Sequence, residues 1–337
     1  MDIRRVQMTG GSSYIITLPK EWIKSSHIKK NDPVGLSQQT NGTLLINPKI
    51  TREGVQRSKE FKVNENTDQN ELFRNLIGAY ISGYNSIKIN SKTRMPPHIR
   101  PIVRKFTQIV IGQEIVEETD QIIILKDLLN PAEMPFNRTI KRMHIIVKGM
   151  YEDALLSLIN NDITVAQDVI SRDGEIDRLH WLVARQYKII LRNVSFAEKI
   201  GTNINTAMTS FLISRIIERI GDHVVTIAKN VVSGLDSTLD KKILNSIKQA
   251  GLLSLESFSK SIGSFFRKDL KSANENIESI SLLRKKCEEI NTQCLHYNLE
   301  GPTATSIGYI VESIRRIGEY AEDISENVIN HLIGEDI

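Results

Sequence analysis

Two carboxylates, Glu218 and Asp222, sit four residues apart in SRIIERIGDHVVTIAKNVV, residues 214–232. A second pair with the same spacing, Asp173 and Asp177, lies in RDGEIDRLHWLV, residues 172–183. At about 100° per residue, each pair falls about 40° apart on one helix face. Carboxylates are hard oxygen ligands, and four of them brought together by adjacent antiparallel helices need a cation to offset their repulsion. The chemistry these residues could do is therefore to hold a divalent metal or iron ion. The plain alternative is a solvated helix face, where acids at this spacing are common. Ile213, Ile216, Ile220, Val224, Ile227 and Val231 cluster nearly opposite Glu218 and Asp222, so those acids are expected to face outward, not to form a buried acid–base pair. His180, three residues after Asp177, is an outside candidate for the same site. His223 points about 100° away from Asp222 and reads as a bundle-surface or boundary residue. Arg215 and Arg219 read as helical ion-pair partners of Glu218. No partnered nucleophile accompanies the acids, so the chain is read as a non-enzyme.

The helix that carries Glu218 and Asp222 recurs 97 residues later. Residues 213–232 and 310–329 are identical at eight of twenty positions, among them Arg219/Arg316, Gly221/Gly318 and Asn230/Asn327. The copy changes the acids: Arg315 stands at the position of Glu218, and Glu319 at that of Asp222. Apolar residues recur at 3.6 spacing from residue 137 to the end and predict six helices, at 137–161, 163–194, 203–233, 237–267, 269–298 and 303–333. Two triplets whose third helices match predict two three-helix bundles in tandem, at 137–234 and 235–337.

Ahead of the bundles the pattern changes twice. Residues 1–50 read β-β-α-β-β, with a turn cluster at Thr9-Gly10-Gly11-Ser12-Ser13, Pro19 opening a short helix, and a hairpin turn at Asn41-Gly42. That is very small for an independent core, so pairing with a second copy is expected. Residues 51–58 read as a linker, and residues 59–130 as a small α/β domain of order βαβαββ, with Thr67-Asp68 as a helix N-cap. That domain is read as a structural spacer. The break at Asn130-Pro131 marks the next boundary. The fold class is thus multidomain and mainly α.

Charge is unevenly spread. Residues 1–59 hold ten Lys/Arg against four Asp/Glu, while the whole chain is only +4. A basic N-terminal module on a near-neutral body suggests an anionic partner. No run is long enough to span a membrane, and the start lacks a signal-peptide pattern, so no membrane insertion is expected. Cys287 and Cys294 read as unbridged thiols of a cytoplasmic protein.

Two family resemblances follow. TGGSSYIITLPKEW (residues 9–22), IKKNDPVGL (residues 28–36) and the following hairpin resemble the AbrB/SpoVT swapped-hairpin DNA-binding domain. The resemblance implies an interleaved homodimer with Arg4, Arg5, Lys20 and Lys24 on DNA. Region 137–333, carried by RDGEIDRLHWLV, SRIIERIGDHVVTIAKNV and SIRRIGEYAEDISENV, resembles PhoU, a phosphate-signalling regulator of two three-helix bundles. It implies a metal site of unknown identity at Asp173, Asp177, Glu218 and Asp222. The second bundle departs from that pattern: Arg315 replaces Glu218, and Ile280 and Arg284 match Asp173 and Asp177, so at most one site per chain is expected. Together the resemblances imply a phosphate uptake regulator of the archaeal kind, with DNA, itself, and a phosphate transporter or sensor component as partners. The alternative is a modulator of a phosphate transporter whose N-terminal domain only dimerises.

Overall fold

The computed structural model describes residues 2–38, 42–48, 57–130, 133–233, 240–296 and 301–335. Asn41 of the expected hairpin turn, most of the expected linker, Pro131 and Gly234 lie outside the described residues. The chain divides into two compact units, Met1–Gln56 and Arg57–Ile337.

The first unit has the expected β-β-α-β-β order. Strands β1 (Gln7–Thr9) and β2 (Ser13–Ile15) form one antiparallel ribbon, and β3 (Gly35–Gln38) and β4 (Leu44–Asn47) form another. Between them lies helix α1 (Lys20–Ser25), opened by Pro19. Each strand of the first ribbon is three residues long, and Arg4 and Arg5 precede β1. No described residue of this unit is buried. Val6, Met8, Tyr14, Leu36 and Leu44 are each more than half exposed.

The second unit starts with the expected βαβαββ module. Its strands are β5 (Ser58–Val63), β6 (Ser86–Ser91), β7 (Gln113–Glu118) and β8 (Ile122–Asp127), and its helices α2 (Gln69–Ile81) and α3 (Ile99–Ile109). The sheet order is β5-β6-β8-β7, with only the β5–β6 pair parallel. Alternation puts Ile87, Ile89, Ile123 and Leu125 on one face, where they join Leu76, Tyr80, Val103 and Phe106 from the two helices in one core. The Asp68 carboxylate caps α2, accepting from the Glu71 N–H at 2.7 Å.

Helices α4 (Phe136–Asn160), α5 (Ile163–Ser171), α6 (Asp173–Ile190), α7 (Val194–Lys199) and α8 (Ile204–Val232) build the first bundle. Helices α9 (Lys241–Arg267), α10 (Leu270–His296) and α11 (Gly301–Glu335) build the second. The single helix expected at 163–194 is two, broken at Arg172, with α7 added after it. The apolar register hides the break, because Val169 and Ile176 lie seven residues apart, two helical turns, and join the same core. The Arg172 guanidinium at the break donates to Asp153 of α4 at 2.5 Å and lies 3.0 Å from Asp168.

The two bundles share one continuous core. Tyr151 of α4 and Ser254 of α9 bond across it at 2.6 Å. His223 and Arg219 of α8 meet Tyr320 of α11, so His223 does sit at a boundary, the one between the bundles. In the second bundle the Asn276 amide of α10 donates to Ser257 O of α9 and Ser325 Oγ of α11, tying its three helices together.

The α/β module is fastened to the first bundle through α6. Trp181 packs against the module's core. Arg185, fully buried, donates to Asp127 Oδ2 at 2.5 Å and to Tyr80 O, with its guanidinium 4.8 Å from the Tyr80 ring centroid. Arg192 donates to Ser82 O. The spacer reading of this module thus needs one addition: it is bonded to the helix that carries Asp173 and Asp177.

Candidate functional site

Asp173 and Asp177 come from the first two turns of α6, and Glu218 and Asp222 from the middle of α8, against which α6 packs. Asp173, Asp177 and Glu218 are half-buried and only Asp222 is exposed. The outward-facing reading holds for Asp222 and is corrected for Glu218. A residue opposite its own helix's apolar stripe still lies in a groove when a neighbouring helix covers that flank.

The four carboxylates feel one another. Burial first, then the Asp173 and Asp222 charges, push the Asp177 carboxyl up to about 6, against the pull of Arg215. Burial also raises Asp173, Glu218 and Asp222, and Asp222 raises Glu218 further while Asp173 raises Asp222. Among the described residues none of the four acids forms an ion pair. The bond expected between Glu218 and Arg215 or Arg219 is not made; Arg219 lies 5.9 Å from the Tyr320 ring centroid instead. Among the described residues no three His, Cys, Asp or Glu side chains converge on one point as they stand. Partly desolvated carboxylates, offset only in part by the charges of Arg215, Arg219 and Lys229, are nonetheless the donor chemistry that suits a hard divalent cation.

His180 is not part of this group. Its ring is buried, 5.9 Å from the Phe211 ring, with Nδ1 3.1 Å from Ser214 Oγ. Burial drives it down to about 4, as it does His144, whose ring meets Phe258 edge-on at 5.0 Å. The folded protein thus refuses protons that the unfolded chain accepts at the ordinary value of 6.5. The resulting stability is complete above pH 6.5 and is lost as pH falls toward 4. A His144→Gln/His180→Gln protein should show a shallower decline in Tm across that interval than the wild type. Parallel Tm–pH curves would refute the assignment.

The second bundle carries a different arrangement. Glu319 accepts from Arg284 at 3.5 Å, from Arg316 at 3.0 Å and from Arg315. Arg284 also donates to Glu322, and Arg315 grips Glu312 through two bonds of 2.9 and 2.7 Å. The Glu312–Arg315–Glu319 part is legible as helical spacing. The reach of Arg284 across to α11 is not, because it depends on how α10 and α11 pack.

In the head, Lys20 and Lys24 lie one turn apart on α1, Arg4 and Arg5 precede β1, and all four are exposed. Arg4 also meets Asp2 at 3.2 Å.

The fold is that of a tandem pair of three-helix bundles preceded by two small modules. The PhoU domain profile matches it twice, at residues 140–231 and 247–328, more than half of the chain, and the chain belongs to that family. A second profile, antidote-toxin recognition MazE, bacterial antitoxin, matches residues 7–53. A phosphate-specific transport system accessory protein PhoU homolog of Rhizobium meliloti is 23% identical over 202 residues, covering 57% of this chain and 81% of that protein. The crystal structure of PhoU from Pseudomonas aeruginosa superposes with a TM-score of 0.53 at 20% identity, over 59% of this chain and 96% of that one. The phosphate transport system regulatory protein PhoU from Streptococcus pneumoniae superposes at 0.51 and 20%, over 60% and 95%. Among the described residues no helix is long and apolar enough to cross a membrane.

Proposed function

We propose that this protein regulates phosphate uptake as a homodimer whose basic head binds DNA and whose helical body senses or relays phosphate status through contact with a transporter or sensor component. The observation that carries the reading is the pairing, in one chain, of a twice-matched PhoU body with a basic head none of whose described residues is buried. Two separate two-stranded ribbons with exposed Met8, Tyr14 and Leu36, and exposed Val6 just before them, are marginal in isolation. A second copy covering those side chains would give the head a core and double the set Arg4, Arg5, Lys20 and Lys24. Phosphate contacts by Lys and Arg release counterions and steepen the dependence of binding on salt.

A gel shift on the protein's own promoter DNA at several salt concentrations tests this. Removing four arginines per dimer in an Arg4→Ala/Arg5→Ala protein should lower the slope of log affinity against log salt by about 3–4. Equal binding by the two proteins would leave the head as a dimerisation device and favour direct modulation of a transporter.

The groove between α6 and α8 is proposed to bind one divalent or iron cation, held by Asp173, Asp177, Glu218 and Asp222. Elemental analysis should find metal with the purified wild type and less with Glu218→Ala/Asp222→Ala. Equal metal content in the two preparations removes the site.

A further inference from the structure

Gly221 of α8 faces Ile176 of α6, and Gly318 of α11 faces Ile280 and Leu283 of α10. The two glycines are equivalent in the repeat, so Ile176 and Leu283 occupy matching places and Asp177 matches Arg284. With Glu218 matched by Arg315 and Asp222 by Glu319, matching positions of the two bundles carry different charges. The first presents four acids and, among the described residues, no ion pair to any of them. The second presents three arginines, Arg284, Arg315 and Arg316, to three glutamates, Glu312, Glu319 and Glu322, with every one of the six paired.

We propose that the arginines of the second bundle do permanently what a bound cation does in the first: Arg284 bridges Glu319 and Glu322 and so clamps α10 to α11, and this half of the body is locked without any metal. A guanidinium stays charged at every working pH, and its planar fork matches two carboxylates at once. The Glu319 and Glu322 side chains are only 17% and 18% exposed, so the bonds they make are less screened than those of a free surface pair. A cation arriving at this position would meet three guanidinium groups and carboxylates already paired. The contrast with a cation-dependent first bundle rests on the reading in the preceding subsection; the arginine clamp itself does not.

Hydrogen exchange on the full chain, with Mn²⁺ or with a chelator, tests the clamp. Exchange in α10 and α11 of the wild type should be the same in both conditions. Arg284→Ala/Arg315→Ala should speed it several-fold in those helices, equally with Mn²⁺ and with chelator, and leave α6 and α8 unchanged. Arg284→Lys/Arg315→Lys, which keeps the charges and loses the forks, should fall between the two. The clamp is overturned if the double alanine variant exchanges like the wild type. It is equally overturned if Mn²⁺ slows α10 and α11 in the wild type and Glu319→Gln abolishes the slowing. If α6 and α8 ignore Mn²⁺ while the double alanine variant still loosens α10 and α11, the cation reading of the first bundle fails and the arginine clamp stands.

Discussion

Asp127→Ala should cost about 3–5 kcal/mol of stability, the loss expected when one partner of a buried ion pair is removed. Arg185 has a side chain only 1% exposed and Asp127 one only 5% exposed, so water cannot replace the lost partner. The guanidinium would keep its bond to Tyr80 O and its position over the Tyr80 ring, but its charge would be uncompensated. Burial already raises the Asp127 carboxyl, with Arg185 and the Leu129 N–H pulling the other way, so the pair is held by mutual satisfaction. Removing both charges tests this. An Asp127→Leu/Arg185→Met protein should recover most of the loss, because exchanging a buried pair for apolar side chains is often neutral. Denaturant unfolding of the wild type and the two variants makes the comparison. A loss under about 1 kcal/mol for Asp127→Ala would mean the pair is solvated and does not fasten the α/β module to α6.

Gly318→Ala and Gly221→Ala should move stability in opposite directions, although each glycine follows the same Arg-Ile dipeptide. A Cβ at Gly318 would be driven into the Leu283 Cδ2 methyl of α10. Leu283 is buried in the shared core and has no solvent side to retreat to, so the change overpacks the α10–α11 contact at a cost of about 1–3 kcal/mol. At Gly221 the nearest atoms to a Cβ are Val147 Cγ2 at 3.7 Å and Ile176 Cγ2 at 3.8 Å, ordinary van der Waals contact. Alanine there relieves the conformational cost of glycine inside a helix and should add about 0.5–1 kcal/mol. Thermal unfolding of both variants decides it. A Gly318→Ala protein as stable as the wild type would show that Leu283 finds another rotamer and that the two bundles do not differ in closeness at this point.

The periodic features of the molecule were legible in the sequence because they depend on spacing within a turn or a strand. The β-β-α-β-β head, the βαβαββ module, the Asp68 cap and the duplicated bundle all follow from local pattern. The repeat also exposed the change from Glu218 to Arg315. The same reliance on spacing hid the break at Arg172, where the apolar register continues across it. It also placed Glu218 in solvent, since a helical wheel knows nothing of the neighbouring helix that half covers it.

By itself the sequence determined which residues carry charge, which helix face each occupies, and that the second copy of the key helix differs from the first. Only the tertiary structure decided how each charge is answered. Arg185 meets Asp127 from 58 residues away, and Arg284 meets Glu322 from 38 residues away. Asp177 meets other acids and, among the described residues, no bonded cation. The reason is physical: the field at a side chain is set by whatever packs within a few ångströms of it. In this chain those neighbours come from other helices, whose placement no local spacing encodes.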